Sequence, residues 1–171
     1  NKQAKQAYNS IKKTENIIRS GNQVEMLNEV GKKVTTSVEN YFNEMGQFET
    51  LKNYEWEYIL IDEPETLNAW CMPGGKIAFY TGILDITENE DGMASVMGHE
   101  IAHAVAKHSL ERASQSLALK VGTTILDIAL EGALSSSSAD DYLVSLGLTL
   151  PFNRLQESEA DYLGLAFMTM A

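Results

Sequence analysis

The sequence predicts an α+β fold, mainly helical, with a small β-sheet set before a long central helix. Three observations carry this. Apolar residues recur every three or four positions up to Met45 and again after Asp91. Between Tyr54 and Tyr80 the pattern changes to aromatic and β-branched residues, which favour strands. Pro73-Gly74-Gly75 splits that stretch at a tight turn. Hydrophobic residues make up 44% and charged residues 22% of the 171 positions, which are globular values. The chain therefore reads as one domain, with N-terminal helices over 1–50 and a core over 54–171.

From Asn1 to about Arg19 the pattern is a polar amphipathic helix, with Ala4, Ala7, Tyr8, Ile11, Ile17 and Ile18 as its apolar positions, and Ser20-Gly21-Asn22 breaks it. A second helix is expected from about Val24 to Met45, its apolar stripe packing on the core, with Gly46 as a stop. Tyr54–Ile61 reads as a strand, Asp62-Glu63-Pro64-Glu65 as a turn, and Leu67–Met72 and Lys76–Tyr80 as two strands that pair with one another. The central helix should begin near Asp91 or Gly92, continue past Ser109, and bury Met93, Val96, Met97, Ile101, Ala104 and Val105. Helices over about Gln115–Leu134 and Asp140–Leu150 follow, separated by a loop at Ser135-Ser136-Ser137-Ser138, and Pro151 ends the second of them. The last helix runs from about Arg154 to Met170.

The charge balance narrows the partners. Thirteen basic residues against 24 acidic ones give a net charge of −11, which leaves no basic stripe for a nucleic-acid backbone and disfavours anionic membrane surfaces. No stretch could span a membrane, because Val121–Leu134 is interrupted by Asp127 and Glu131. Cys71 is the only cysteine, so no intrachain disulfide forms, and an inert, partly buried thiol is the plainest reading of it. The chain opens on Asn1 without a basic and apolar leader, which fits a trimmed or cleaved targeting segment.

Two of the three histidines fall in His99-Glu100-Ile101-Ala102-His103. On a helix, residues four apart differ by about 40°, so both imidazoles leave one face and can share one metal ion. Glu100 points about 100° away from His99, unsuited to be an equivalent ligand but able to reach a water held on the metal, which makes it the candidate general base. A catalytic zinc usually takes three protein ligands and keeps a fourth position open. The richest acidic cluster downstream is Glu157-Ser158-Glu159-Ala160-Asp161. Glu157 is the candidate third ligand. Asp161, one turn on, is placed to accept the other ring N–H of a ligating histidine and fix its tautomer, with a salt bridge or a capping role as the plainer alternative. Glu159, rotated by about 200° from Glu157, should face solvent. His108, about 140° from His103 on a continuous helix, reads as a surface histidine. Arg154 could orient Glu157 or a substrate, or simply pair with a surface acid.

Together with Arg154-Leu155-Gln156-Glu157-Ser158-Glu159-Ala160-Asp161-Tyr162-Leu163-Gly164-Leu165, the pentapeptide resembles the gluzincin family that groups HtpX-like heat-shock proteases, CAAX prenyl proteases and quality-control peptidases of the BepA type. Asn68-Ala69-Trp70 followed by Pro73-Gly74-Gly75 resembles that family's segment before the active helix. The likeness covers about Tyr54 to Ala171. It implies a zincin-type metallopeptidase domain with one Zn2+ per chain, and an edge strand at Asn68 and Ala69 along which an extended polypeptide pairs. It also implies a tyrosine, histidine or arginine as a second oxyanion contact, for which His108, Arg154 and Tyr162 are unranked candidates. The lack of a spanning segment separates the chain from the HtpX and CAAX branches and points to a periplasmic or membrane-associated place on the extracytoplasmic side. Family members commonly continue beyond the ligand helix, so a further segment and a partner binding through it are expected after Ala171.

The resemblance implies a zinc endopeptidase acting on misfolded or unassembled proteins, in which Glu100 takes a proton from a zinc-activated water and passes it to the leaving amine. The rival reading is a metal-stabilised chaperone-like or assembly module whose proteolysis is latent or absent. A zinc hydrolase of small molecules fits less well, because an edge-strand segment suits a polymer.

Overall fold

The computed structural model describes residues 2–108 and 154–171. The helices and loop expected between Gln115 and Pro151 lie outside the described residues. Helix α1 spans Lys2–Thr14, strand β1 Ile17–Ile18, helix α2 Asn22–Glu44, strands β2, β3 and β4 Glu57–Ile61, Ala69–Met72 and Lys76–Tyr80. Short helix α3, Leu84–Thr87, leads into α4, Glu90–Val105, and α5 spans Arg154–Thr169.

The four strands form one sheet in the order β1-β2-β4-β3. β3 and β4 pair antiparallel across the Pro73-Gly74-Gly75 turn, with Met72 opposite Lys76, and β4 then runs parallel to β2. Both turn glycines have positive φ, 98° at Gly74 and 84° at Gly75, a conformation that a side chain would strain. β3 is thereby an edge of the sheet among the described residues.

Alternation along the strands separates two apolar layers. Leu60, Ala69, Cys71, Ile77 and Phe79 face a core shared with α2, α4 and α5. Ile59, Ile61, Trp70, Met72 and Ala78 face the other way, onto Ala4, Ala7, Tyr8 and Ile11 of α1. The sheet is therefore covered on both faces, so β3 and β4 are almost wholly buried and show no polar alternation in the sequence.

Several boundaries differ from the sequence reading, among them the start of β3, at Ala69 rather than Leu67. Ile17 and Ile18 do not extend α1; as a β-branched pair they leave the helix and pair antiparallel with Ile61 and Leu60. β2 starts at Glu57 rather than Tyr54, because Tyr54 and Trp56 lie across the turn at Gly75, with their rings 5.0 Å apart. Helix α4 stops at Val105 instead of passing Ser109, since Lys107 takes a left-handed φ of 61° and turns the chain.

Candidate metal centre

Helix α4 begins where the sequence provides a cap: the Asn89 side chain accepts from the Gly92 N–H at 3.0 Å, with Glu90 and Asp91 in the positive first turn. Met93, Met97, Ile101, Ala102 and Ala104 are buried, because α4 is wedged between β3, α2 and α5. The Tyr54 hydroxyl ties its last turn by donating to the Ala104 carbonyl at 3.2 Å.

Helix α5 reaches α4 along a seam of small residues. Gln156, Ala160, Gly164 and Phe167 form its buried face. A Cβ on Gly98 would lie 2.7 Å from the Gly164 carbonyl oxygen, so the two backbones touch directly beside His99. Phe167 anchors the far end against Tyr41 and Phe42 of α2, ring centroids 5.5 and 6.3 Å away.

This seam brings Glu157 to the two histidines. The Nε2 atoms of His99 and His103 are 3.0 Å apart, and the Glu157 carboxylate oxygens lie 3.5 Å from the first and 3.7 Å from the second. One ligand atom from each residue falls within 4.8 Å of the others, so the three could hold one metal ion. Donors about 2.0–2.2 Å from a tetrahedral ion stand roughly 3.3–3.6 Å apart, and the three separations straddle that span. Two imidazole lone pairs and a carboxylate aimed at one point repel each other unless a cation lies between them, and this donor set suits zinc. His103 is buried, His99 and Glu157 half-buried, so one side of the cluster is open to solvent.

Around it, Asp161 Oδ1 lies 3.0 Å from His99 Nδ1. Glu100 is half-buried and lines the same cleft as His99, a space of about 580 Å³ that also takes in Asn68, Ala69, Val96 and Leu165. Behind Glu100, burial pushes the Cys71 thiol up and the Glu100 charge adds in the same direction. Cys71 is thus a fully buried, neutral thiol.

One expectation is corrected. His108 is not a surface residue: the turn at Lys107 folds it back, 2% exposed, with its Nδ1 2.9 Å from His103 Nδ1 and its Nε2 3.3 Å from Glu159 Oε2. It sits behind the histidine pair and not in the cleft. Glu159 is exposed to solvent, as expected, and its carboxylate also reaches His108. Arg154 opens α5 exposed and makes no ion pair among the described residues, and Tyr162 is 74% exposed. Sequence reasoning missed the contacts of His108 and the glycine seam. The grouping of all three histidines within ten positions, and a lone glycine inside each of two helical patterns, were the available signals.

A mainly helical α+β domain with its small sheet ahead of the histidine-bearing helix defines the zincin-type class of metallopeptidase folds. The comparison with known families makes this particular: residues 32–171 match the model for peptidase family M48, and the chain belongs to that family. It is 40% identical over 121 residues to the mitochondrial metalloendopeptidase OMA1 of Schizosaccharomyces pombe, covering 71% of this chain and 35% of that one. It is 29% identical over 113 residues to a putative beta-barrel assembly-enhancing protease of Vibrio cholerae, covering 61% of this chain and 23% of that one. To the metalloprotease YcaL of Escherichia coli it is 30% identical over 97 residues, covering 56% of this chain and 37% of that one. The chain thus spans little more than a third, or less, of the length of these relatives.

Proposed function

We propose that this protein is a zinc-dependent metalloendopeptidase that hydrolyses peptide bonds in misfolded or unassembled proteins. The observation that carries the reading is the convergence of His99, His103 and Glu157 on one point beside a cleft that His99 and Glu100 line. The relatives named metalloendopeptidase support it.

His99, His103 and Glu157 would hold one zinc ion, the imidazoles as neutral donors and Glu157 as a carboxylate. When bound, zinc supplies a Lewis acid that acidifies a water molecule and polarises the scissile carbonyl. Glu100 takes the proton from the attacking water and returns it to the leaving amine. Asp161 accepts the His99 Nδ1–H and fixes that ring. The substrate lies extended beside the end of edge strand β3, where Asn68 and Ala69 enter the cleft, and main-chain hydrogen bonds there bind it with little sequence preference.

For the compartment we propose the extracytoplasmic side, periplasmic or membrane-associated. The relative named for β-barrel assembly supports this, whereas the OMA1 relatives are named mitochondrial. No described helix is long and apolar enough to cross a membrane. A partner engaging a segment beyond Ala171 belongs to the same reading.

The test is cleavage of reduced, unfolded casein by the zinc-loaded protein, beside Glu100→Gln and a chelator-treated sample. Cleavage in the wild type alone, with zinc retained by Glu100→Gln, is expected. Stoichiometric zinc with intact casein in every sample would overturn it in favour of a chaperone-like binding module.

A further inference from the structure

The two imidazoles of the cluster are backed differently. His99 Nδ1 faces a carboxylate, Asp161, whereas His103 Nδ1 faces a third imidazole. The His103 and His108 rings meet edge to face at 5.1 Å and 71°, and at 3% and 2% exposure both are shielded from water. The far nitrogen of His108 reaches the Glu159 carboxylate at 3.3 Å.

We propose that His108 and Glu159 are positioning residues for the metal centre. His103 Nδ1–H donates to His108 Nδ1, His108 Nε2–H donates to Glu159, and the chain holds His103 in the tautomer that aims the Nε2 lone pair at His99 and Glu157. The inference rests on the reading of His99, His103 and Glu157 as the ligand set. A neutral imidazole has one donor and one acceptor nitrogen. If His103 ligates through Nε2, its proton sits on Nδ1, in a buried place where an unmet donor is costly. Only an imidazole bare at Nδ1 can accept there, which forces the His108 proton onto Nε2, and Glu159 is the acceptor for it. Each tautomer thus fixes the next, inward from an exposed carboxylate. The left-handed turn at Lys107 makes this possible, because on an unbroken helix His108 would stand about 140° from His103. Helix α5 then supplies Glu157 to the metal, Asp161 to His99 and Glu159, through His108, to His103.

The test measures zinc affinity by competition with a chromophoric chelator, and the visible spectrum of the cobalt-substituted protein. His108→Leu should weaken zinc binding about ten- to a hundredfold and shift the cobalt bands. His108→Gln, whose amide accepts from His103 and donates to Glu159, should recover most of the affinity. Glu159→Ala, at an exposed site that folding tolerates, should weaken binding by a smaller factor. Wild-type affinity and an unshifted cobalt spectrum in Glu159→Ala overturn the proposal even if His108→Leu fails to fold. Equal affinity of the folded His108→Leu and His108→Gln proteins overturns it as well. His103→Ala separates the two readings. Tight stoichiometric zinc in that variant means the ligand set is wrong; zinc lost there but kept unchanged in the His108 and Glu159 variants means only the positioning chain is wrong.

Discussion

A Cβ placed on Gly164 would stand 2.8 Å from the backbone nitrogen of His99. The obstacle is main chain, which cannot rotate aside as a side chain would. Gly164→Ala should therefore push α5 away from α4, costing about 1–3 kcal/mol as overpacking does, and should loosen zinc binding by moving Glu157. Denaturant unfolding and zinc content measure the two effects. Wild-type values for both would mean that the close approach does not set the site.

Zinc removal should lower stability, because the candidate ligands join two helices whose metal-site residues His99 and Asp161 are 62 positions apart. At free zinc about a hundredfold above Kd the linked stabilisation is roughly 2.7 kcal/mol. A chelator should thus lower the Tm of the wild type and leave that of His103→Ala unmoved. A chelator-dependent shift of equal size in His103→Ala would show that the ion binds elsewhere.

The site and the fold were unequally legible. Four-residue spacing placed His99 and His103 on one face of a helix, and the acidic cluster at Glu157 offered a partner, since both follow from local periodicity. The β3–β4 hairpin was visible through Pro73-Gly74-Gly75. Ile17 and Ile18 were ambiguous, because two apolar residues suit the end of a helix as well as a strand two residues long. Helix α3 was too short for any period to show. The position of His108 depended on a left-handed lysine, a residue type that gives no signal for such a turn. The alignment of Gly98 with Gly164 is a tertiary contact, invisible to a reading of either helix alone.

The Tyr8 hydroxyl is buried and has no hydrogen-bond partner among the described residues. Burial, together with the Glu57 charge, pushes its pKa well up. Tyr8→Phe should raise stability by about 1 kcal/mol, since it removes an unmet polar group and keeps the ring face 4.8 Å below Lys12 Nζ. A denaturant midpoint decides it, and a loss of similar size would contradict the reading.

Acid should act through Glu57. Burial alone would raise this carboxyl, but hydrogen bonds from Lys76 at 2.8 Å and Lys12 at 3.0 Å outweigh it and hold the group below its ordinary value. A carboxyl lower in the folded than in the unfolded chain contributes stability above the unfolded pKa, and that contribution is lost as pH falls through the folded value. Glu57→Gln should be less stable than the wild type at neutral pH, and the gap should close below about pH 4.3. Unfolding free energies across that range test it; a constant gap would exclude Glu57 as the group responsible.

Bare backbone at Gly98 and Gly164 lets α4 and α5 approach more closely than any pair of side chains would permit. The contact is made by residues of the two helices themselves, Gly98 and Gly164. The geometry of the candidate site is thereby held by an absence, that of two methyl groups, as much as by any side chain present.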